Sequence, residues 1–78
     1  MLPEATFDVV LRGYDRTAVD ALVGAVRPAL DSGDAALRDR ARQALARPAL
    51  VVTMRGYDRR QVDAYVLAAR SALEGPGA

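Results

Sequence analysis

Apolar residues along this chain follow two different spacings, and the two spacings alternate. Short β-branched runs at 7–11 (FDVVL) and 50–54 (LVVTM) are typical of strands. After each run, apolar residues recur every three to four positions, as on the buried face of a helix. The predicted faces are Val19, Leu22, Val23, Val26 and Leu30 in the first helix, and Val62, Tyr65, Val66, Ala69 and Leu73 in the last.

The pentapeptide RGYDR separates strand from helix in both places, at 12–16 and again at 55–59. Gly13 and Gly56 can adopt positive φ without steric cost. We therefore expect each strand to stop at a turn that contains the glycine.

The aspartate of the pentapeptide stands where a helix N-cap belongs. Asp15 and Asp58 predict helices that begin at Arg16 and Arg59. In the second copy Gln61 follows three residues after the aspartate, which is the spacing of a capping box.

The stretch between the two copies, residues 31–49, has a helical pattern of its own. Ser32 or Asp34 can cap a helix over 35–46 that ends before Pro48. The predicted inner positions of this connector helix are Leu37, Ala41, Ala44 and Leu45.

Two further breaks are predicted near the ends of helices. Pro28 removes a backbone hydrogen bond, which predicts a kink or an early stop in the first helix. The C-terminal residues 74–78 (EGPGA) are expected to be a disordered tail.

Laid over itself at an offset of 43 residues, the chain is identical at 14 of 24 positions between 7–30 and 50–73. The simplest interpretation is an internal duplication. A first helix of about 14 residues rises about 21 Å, and a connector helix of about 12 residues brings the chain back. We therefore expect one domain over 1–78, of the mostly helical α+β class. It is a three-helix bundle with a two-stranded antiparallel ribbon at one end, in the order β-α-α-β-α with pseudo-two-fold symmetry.

Composition removes several classes of function. The 11 basic and 10 acidic side chains leave a net charge of +1, so no broad basic field favours nucleic acid. The absence of Cys and His excludes disulfides, thiolate or imidazole metal sites and Cys or His catalysis. Asp15, Asp58 and Arg12 are the conceivable catalytic set, and they have evident turn and capping roles. We therefore expect no enzyme, no cofactor and no small-molecule substrate.

The sequence also bears on location. No run approaches the roughly 18 apolar residues of a membrane span, and the first seven residues, MLPEATF, lack the basic and apolar regions of a signal peptide. We expect a cytoplasmic protein.

An apolar run followed by RGYDRTAVDALV at 12–23, or by RGYDRRQVDAYV at 55–66, resembles the N-terminal domain of DivIVA, the bacterial cell-division and polar-growth scaffold, and of its relative GpsB. The shared pattern is Arg-Gly-Tyr-Asp, then Val-Asp, then an apolar pair, and it covers about 20 residues of each copy and none of the connector. DivIVA proteins continue into a long parallel coiled coil, and no heptads follow Leu73 here. In the family two such domains from two chains intertwine as a dimer, so the tandem copy resembles that dimer fused into one chain.

The resemblance implies a membrane site at the start of the motif. In DivIVA the apolar residue and the Arg at this point insert into membrane, and the matching positions are Leu11 with Arg12 and Met54 with Arg55. Two such tips held side by side make reversible attachment to an anionic surface plausible. The alternative is that Leu11 and Met54 fill the small core under the ribbon while the two arginines pair with nearby aspartates.

The resemblance also implies a peptide site. GpsB-like adaptors use a Tyr in the turn and acidic residues on the following helix to hold Arg-containing tails of division enzymes. The matching residues are Tyr14 with Asp20 and Tyr57 with Asp63. A third acidic position of that site falls on Gly24 and Leu67. The alternative is that each Tyr packs over the helix start and each of these aspartates pairs with Arg16 or Arg59, four residues earlier.

These observations lead to two hypotheses for the function. The first is a non-catalytic division or polarity adaptor of DivIVA type that binds the membrane surface, a protein tail, or both, at the inner face of the cell membrane. The second is an association domain that pairs with another chain or forms a homodimer, without lipid binding.

Overall fold

The computed structural model describes residues 6–74, in which two short strands and three helices alternate. The elements are β1 (Val9–Leu11), α1 (Arg16–Ser32), α2 (Ala35–Ala46), β2 (Arg55–Tyr57) and α3 (Arg59–Leu73). Strands β1 and β2 pair antiparallel in one two-stranded sheet. The predicted order β-α-α-β-α and the mostly helical α+β class are therefore confirmed. Most of the predicted disordered tail, residues 75–78, lies outside the described part.

An aspartate begins each of the three helices. The Asp15 carboxylate accepts from a first-turn backbone N–H of α1 at 3.0 Å, and Asp58 does the same for α3 at 2.9 Å. For α2 the cap is Asp34, whereas Ser32 lies at the end of α1 and accepts from the Asp34 N–H. Side-chain oxygens satisfy donors that a helix start leaves free, so short polar residues fix these boundaries locally.

Gln61 does not complete a capping box on Asp58. Its Oε1 accepts the backbone N–H of Asp8 at 2.7 Å, and its Nε2 donates to the Asp8 carboxylate at 3.0 Å. The Asp58 backbone N–H, which a capping box would use, donates to the carbonyl oxygen of Asp8 at 2.8 Å. The prediction was wrong because the chain entering β1 already occupies that donor.

Helix α1 continues through Pro28 and ends only after Ser32, so the early stop was wrong. The next residue, Gly33, takes the left-handed conformation (φ 70°) that commonly closes a helix. Ala29, directly after the proline, is fully buried. Packing of this turn against the other helices offsets the one hydrogen bond that proline cannot make.

All three helices contribute to one hydrophobic cluster. Its buried members are Leu22, Val26, Ala29, Ala41, Leu45, Tyr65, Ala69 and Leu73. Partly buried residues that pack against it are Phe7, Val23, Leu30, Leu37, Ala44 and Val66. Val19 and Val62 are also fully buried. The predicted inner faces of the helices are confirmed, with Ala29 as an unpredicted member.

In the first copy β1 ends at Leu11, directly before the RGY segment, as predicted, whereas in the second copy the RGY segment itself forms β2. The register of β1 on β2 is Val9 with Tyr57, Val10 with Gly56 and Leu11 with Arg55. The predicted second strand at 50–54 is therefore wrong, because β2 lies later in the chain. Beyond β1, the Arg12 N–H donates to the Met54 carbonyl oxygen and the Thr53 N–H donates to that of Gly13, both at 2.8 Å. Such pairing satisfies the backbone of both motifs at once.

Gly13 and Gly56 do not have the positive φ that was predicted for them. Among residues 6–74, positive φ occurs at Arg12 (58°) and Gly33 (70°). Glycine is needed at the two motif positions because their backbones meet. A Cβ on Gly56 would lie 2.6 Å from the Gly13 carbonyl carbon, and a Cβ on Gly13 would collide with the Gly56 carbonyl group. The prediction that both motifs meet at one place is confirmed by this contact.

Candidate functional site

Leu11 and Met54 lie on the surface of the ribbon. Their relative exposures are 73% and 78%, so the alternative that they fill the core is wrong. Leu11 pairs with Arg55 in the ladder, and the Arg12 N–H bonds the Met54 carbonyl at 2.8 Å. These four residues are therefore ladder neighbours, and we call them the tip.

Both tip arginines are available for an outside partner. Arg12 and Arg55 are exposed, and within residues 6–74 neither lies within ion-pair distance of a carboxylate. The ion pair found in this part of the chain joins Arg42 and Asp39 at 3.6 Å on the outside of α2. The alternative that the tip arginines pair with aspartates is thus wrong. The tip combines two exposed apolar side chains with two uncompensated guanidiniums.

Each motif tyrosine bonds to an aspartate on the helix of the other copy. The Tyr14 hydroxyl donates to Asp63 Oδ1 at 3.0 Å, and the Tyr57 hydroxyl donates to Asp20 Oδ1 at 3.0 Å. The structure therefore brings Tyr14 together with Asp63 and Tyr57 with Asp20, whereas the resemblance had grouped Tyr14 with Asp20 and Tyr57 with Asp63 as candidate peptide sites. In the described chain these aspartates form no ion pair with the arginine four residues earlier.

Backbone pairing between the two tyrosines explains why each hydroxyl bonds the aspartate of the other copy. The Tyr14 N–H donates to the Tyr57 carbonyl at 2.9 Å, and the Tyr57 N–H donates to the Tyr14 carbonyl at 2.8 Å. The two tyrosines therefore cross at one point, and each side chain reaches the helix that follows the other tyrosine. Sequence spacing within one copy could not indicate this.

The three tyrosines have raised pKa values for different reasons. Burial and then the hydrogen bond to Asp63 raise the pKa of Tyr14. The hydrogen bond to Asp20 and then burial raise the pKa of Tyr57. Burial in the core raises the pKa of Tyr65. In each case the environment favours the neutral phenol over the phenolate.

Alkaline pH is expected to weaken the fold through these phenols. Their pKa values in the folded chain exceed the ordinary value of about 10, so the unfolded chain releases its protons first. Their stabilising contribution is full below pH 10 and is lost as pH rises through the folded pKa values. The chain has no Lys and no Cys, so these 3 Tyr are the side chains that titrate in this range. Urea unfolding followed by circular dichroism between pH 8 and pH 11 measures the loss.

The matched variant carries Tyr14→Phe and Tyr57→Phe together. It should lose about 1 kcal/mol per hydrogen bond at pH 8. It should also show a shallower loss of stability above pH 10, because the contribution from Tyr65 alone remains. An unchanged pH dependence in the double variant would contradict the role assigned to the exchanged bonds.

A groove of 420 Å³ opens beside one of the exchanged bonds. It is lined by Tyr14, Pro48, Leu50, Asp63, Val66 and Leu67. In the other copy, Phe7 stands at the position equivalent to Leu50, and its ring packs 5.3 Å from that of Tyr57 and 5.8 Å from that of Tyr65. The groove thus lies where the two copies differ in sequence. The mismatched pairs Phe7/Leu50 and Gly24/Leu67 in the self-alignment were the signal that could have indicated it.

Comparison of the chain with models of protein families, with curated proteins and with solved structures finds no match. Within residues 6–74, no helix has both the length and the apolar character needed to cross a membrane. In the same part of the chain, no three His, Cys, Asp or Glu side chains cluster as metal ligands would.

Proposed function

We propose that this protein is a non-catalytic adaptor of DivIVA type that attaches reversibly to an anionic membrane surface through its tip. The observation that carries the proposal is the exposure of Leu11 and Met54 at ladder positions next to unpaired arginines. Large apolar side chains grouped on a surface and rimmed by polar groups mark an interaction site more often than a free surface. The pairing with guanidiniums favours a partner that offers both hydrocarbon and negative charge.

The magnitudes suit weak, reversible attachment. Each buried CH₂ contributes about 0.8 kcal/mol, and each arginine near an anionic leaflet contributes about 1 kcal/mol. Leu11 with Arg12 alone would bind poorly. Met54 with Arg55 lies in the same ladder, so the second contact benefits from a high effective concentration once the first has formed.

The proposal includes an internal repeat: two DivIVA-like units fused into a three-helix bundle about a pseudo-two-fold axis. Contacts that recur 43 residues apart support it. The Asp15 N–H donates to the Val51 carbonyl and the Asp58 N–H donates to the Asp8 carbonyl, both at 2.8 Å. The exchanged tyrosine bonds form a second such pair of equivalent contacts.

The absence of catalysis also remains part of the proposal. The conceivable catalytic carboxylates, Asp15 and Asp58, accept backbone N–H groups of α1 and α3. They act as helix caps, which leaves them poorly placed as acids or bases.

A second function, which the groove supports, is capture of a protein tail in the cytoplasm. Asp63 accepts from Tyr14 through Oδ1, and its other carboxylate oxygen could receive a guanidinium of the tail. Leu67, 65% exposed, provides an apolar wall where the GpsB-like site has an acidic residue. A homodimer that buries the same surface is the corresponding alternative for a partner.

Vesicle co-sedimentation tests the membrane proposal. The wild-type chain should bind vesicles that contain anionic phospholipid, and its binding should weaken as salt is raised. Leu11→Ala with Met54→Ala should abolish co-sedimentation, while the melting temperature barely changes because both side chains are exposed.

The control variant removes an exposed apolar side chain that lies outside the tip. Leu67→Ala removes an exposed leucine outside the tip and should leave vesicle binding intact. Equal vesicle binding by the tip variant and the wild type would contradict the membrane proposal. Concentration-dependent oligomers without any lipid binding would instead establish the association function.

A further inference from the structure

A second cleft, of 270 Å³, lies beside the tip between the end of β1 and the start of α3. It is lined by Val10, Leu11, Arg12, Asp58, Arg59 and Arg60. Three guanidiniums and one carboxylate give this lining a formal charge of +2. The exposed Leu11 of the tip forms part of the same wall.

Among the described residues, the arginine side chains of the cleft have no bonding partner, whereas its carboxylate accepts hydrogen bonds. Asp58 accepts the backbone N–H groups of Arg60 and Gln61 at 2.9 and 3.2 Å. Across the described residues, the guanidiniums of Arg12, Arg59 and Arg60 form no ion pair and no hydrogen bond. Three like charges around one concavity repel one another, so a bound anion would relieve an existing cost.

The other copy has no equivalent cleft chemistry. The positions 43 residues away from Arg12, Arg59 and Arg60 hold Arg55, Arg16 and Thr17. The third guanidinium is thus peculiar to one side of the molecule. The third guanidinium gives this side a cationic group for an anion that the other side lacks.

We infer that this cleft binds a phosphate monoester in its doubly charged form, presented by a lipid headgroup. A net charge of +2 matches the dianion, and guanidinium forks match the geometry of phosphate oxygens. The adjacent Leu11 would enter the acyl region below the same headgroup. The inference rests on the proposed membrane function and adds to it a preference for monoester over diester phosphate.

The test compares two vesicle preparations with equal zeta potential. One contains phosphatidic acid, whose phosphate is a monoester, and the other contains phosphatidylglycerol, whose phosphate is a diester. The wild-type chain should partition about fivefold more strongly onto the first, the factor that one guanidinium contributes near an anionic surface. Equal partitioning onto both would overturn the inference and leave the proposed membrane function standing.

Three substitutions sharpen the test. Arg60→Thr makes this cleft match the other copy and should remove the preference. Thr17→Arg builds the third arginine into the other copy and should increase it. Arg40→Thr removes the same charge from an exposed position on α2 and should lower binding to both vesicles equally, so the preference persists. A preference that survives Arg60→Thr would overturn the inference.

Inorganic phosphate distinguishes a soluble source from a lipid source. Phosphate that shifts the NMR signals of Arg12 and Arg60 without vesicle preference would support the monoester chemistry and overturn the lipid source. Met54→Ala, at a tip residue outside the lining of the cleft, separates the two proposals further, since it should weaken binding to both vesicles and leave the phosphate shifts in place.

Discussion

Gly56→Ala is expected to destabilise this protein severely. The added methyl group would lie 2.6 Å from the carbonyl carbons of Gly13 and Tyr14, and still closer to the Tyr14 carbonyl oxygen. These atoms belong to backbone that the ladder holds on both sides, so they cannot move aside as a flexible side chain would. Overpacking costs about 1 to 3 kcal/mol where side chains can adjust, and we expect a loss of at least about 3 kcal/mol here. A domain of this size has little stability to lose.

The control is the same substitution in an open position. Gly24 lies within α1, and a Cβ there meets nothing within 4 Å. Gly24→Ala should therefore raise the stability by about 0.5 to 1 kcal/mol through helix propensity. Urea unfolding monitored by circular dichroism compares the two variants and Gly13→Ala, which should resemble Gly56→Ala. A Gly56→Ala chain as stable as wild type would show that the two motifs do not cross this closely.

Leu45→Ala is expected to produce the second large effect, a loss of about 2 to 5 kcal/mol. Leu45 is 1% exposed and belongs to the cluster shared by all three helices. Its removal leaves a cavity that α2 cannot close without disturbing the packing of its other buried residue, Ala41, in the cluster shared with α1 and α3. Thermal unfolding measures the change, and the tertiary signal should be lost before much of the helix content.

Leu67→Ala serves as the matched comparison because the chemical change is identical. Leu67 is 65% exposed on α3, so its truncation should change the stability by no more than about 0.5 kcal/mol. Similar losses for the two leucine variants would contradict the assignment of Leu45 to the core.

The helices could be predicted because their signals are local. A cap such as Asp15, an apolar residue at every third or fourth position and a stop before Pro48 each act within one or two turns. The starts at Arg16, Ala35 and Arg59 are therefore where the sequence indicated. Pro28 is the exception, since burial of the neighbouring turn outweighed the local penalty.

The candidate sites could be predicted only as sets of residues. The repeat indicated that Leu11, Met54, Tyr14 and Tyr57 belong to equivalent positions. Their surroundings depend on residues more than 35 positions away, which a self-alignment does not place. In the structure Leu11 and Met54 are exposed, and each tyrosine donates a hydrogen bond to an aspartate of the other copy.

The sequence by itself determined which segments are helical, which faces they bury and which residues the two copies share. Only the tertiary structure decided that the motifs cross backbone to backbone. Because of that crossing, Gly13 and Gly56 are required by the close approach of the two backbones and not by positive φ. The second strand is Arg55–Tyr57, and each tyrosine bonds an aspartate of the other copy. The physical reason is the range of the forces: helix formation is satisfied within a few residues, whereas a strand's hydrogen bonds depend on where its partner lies.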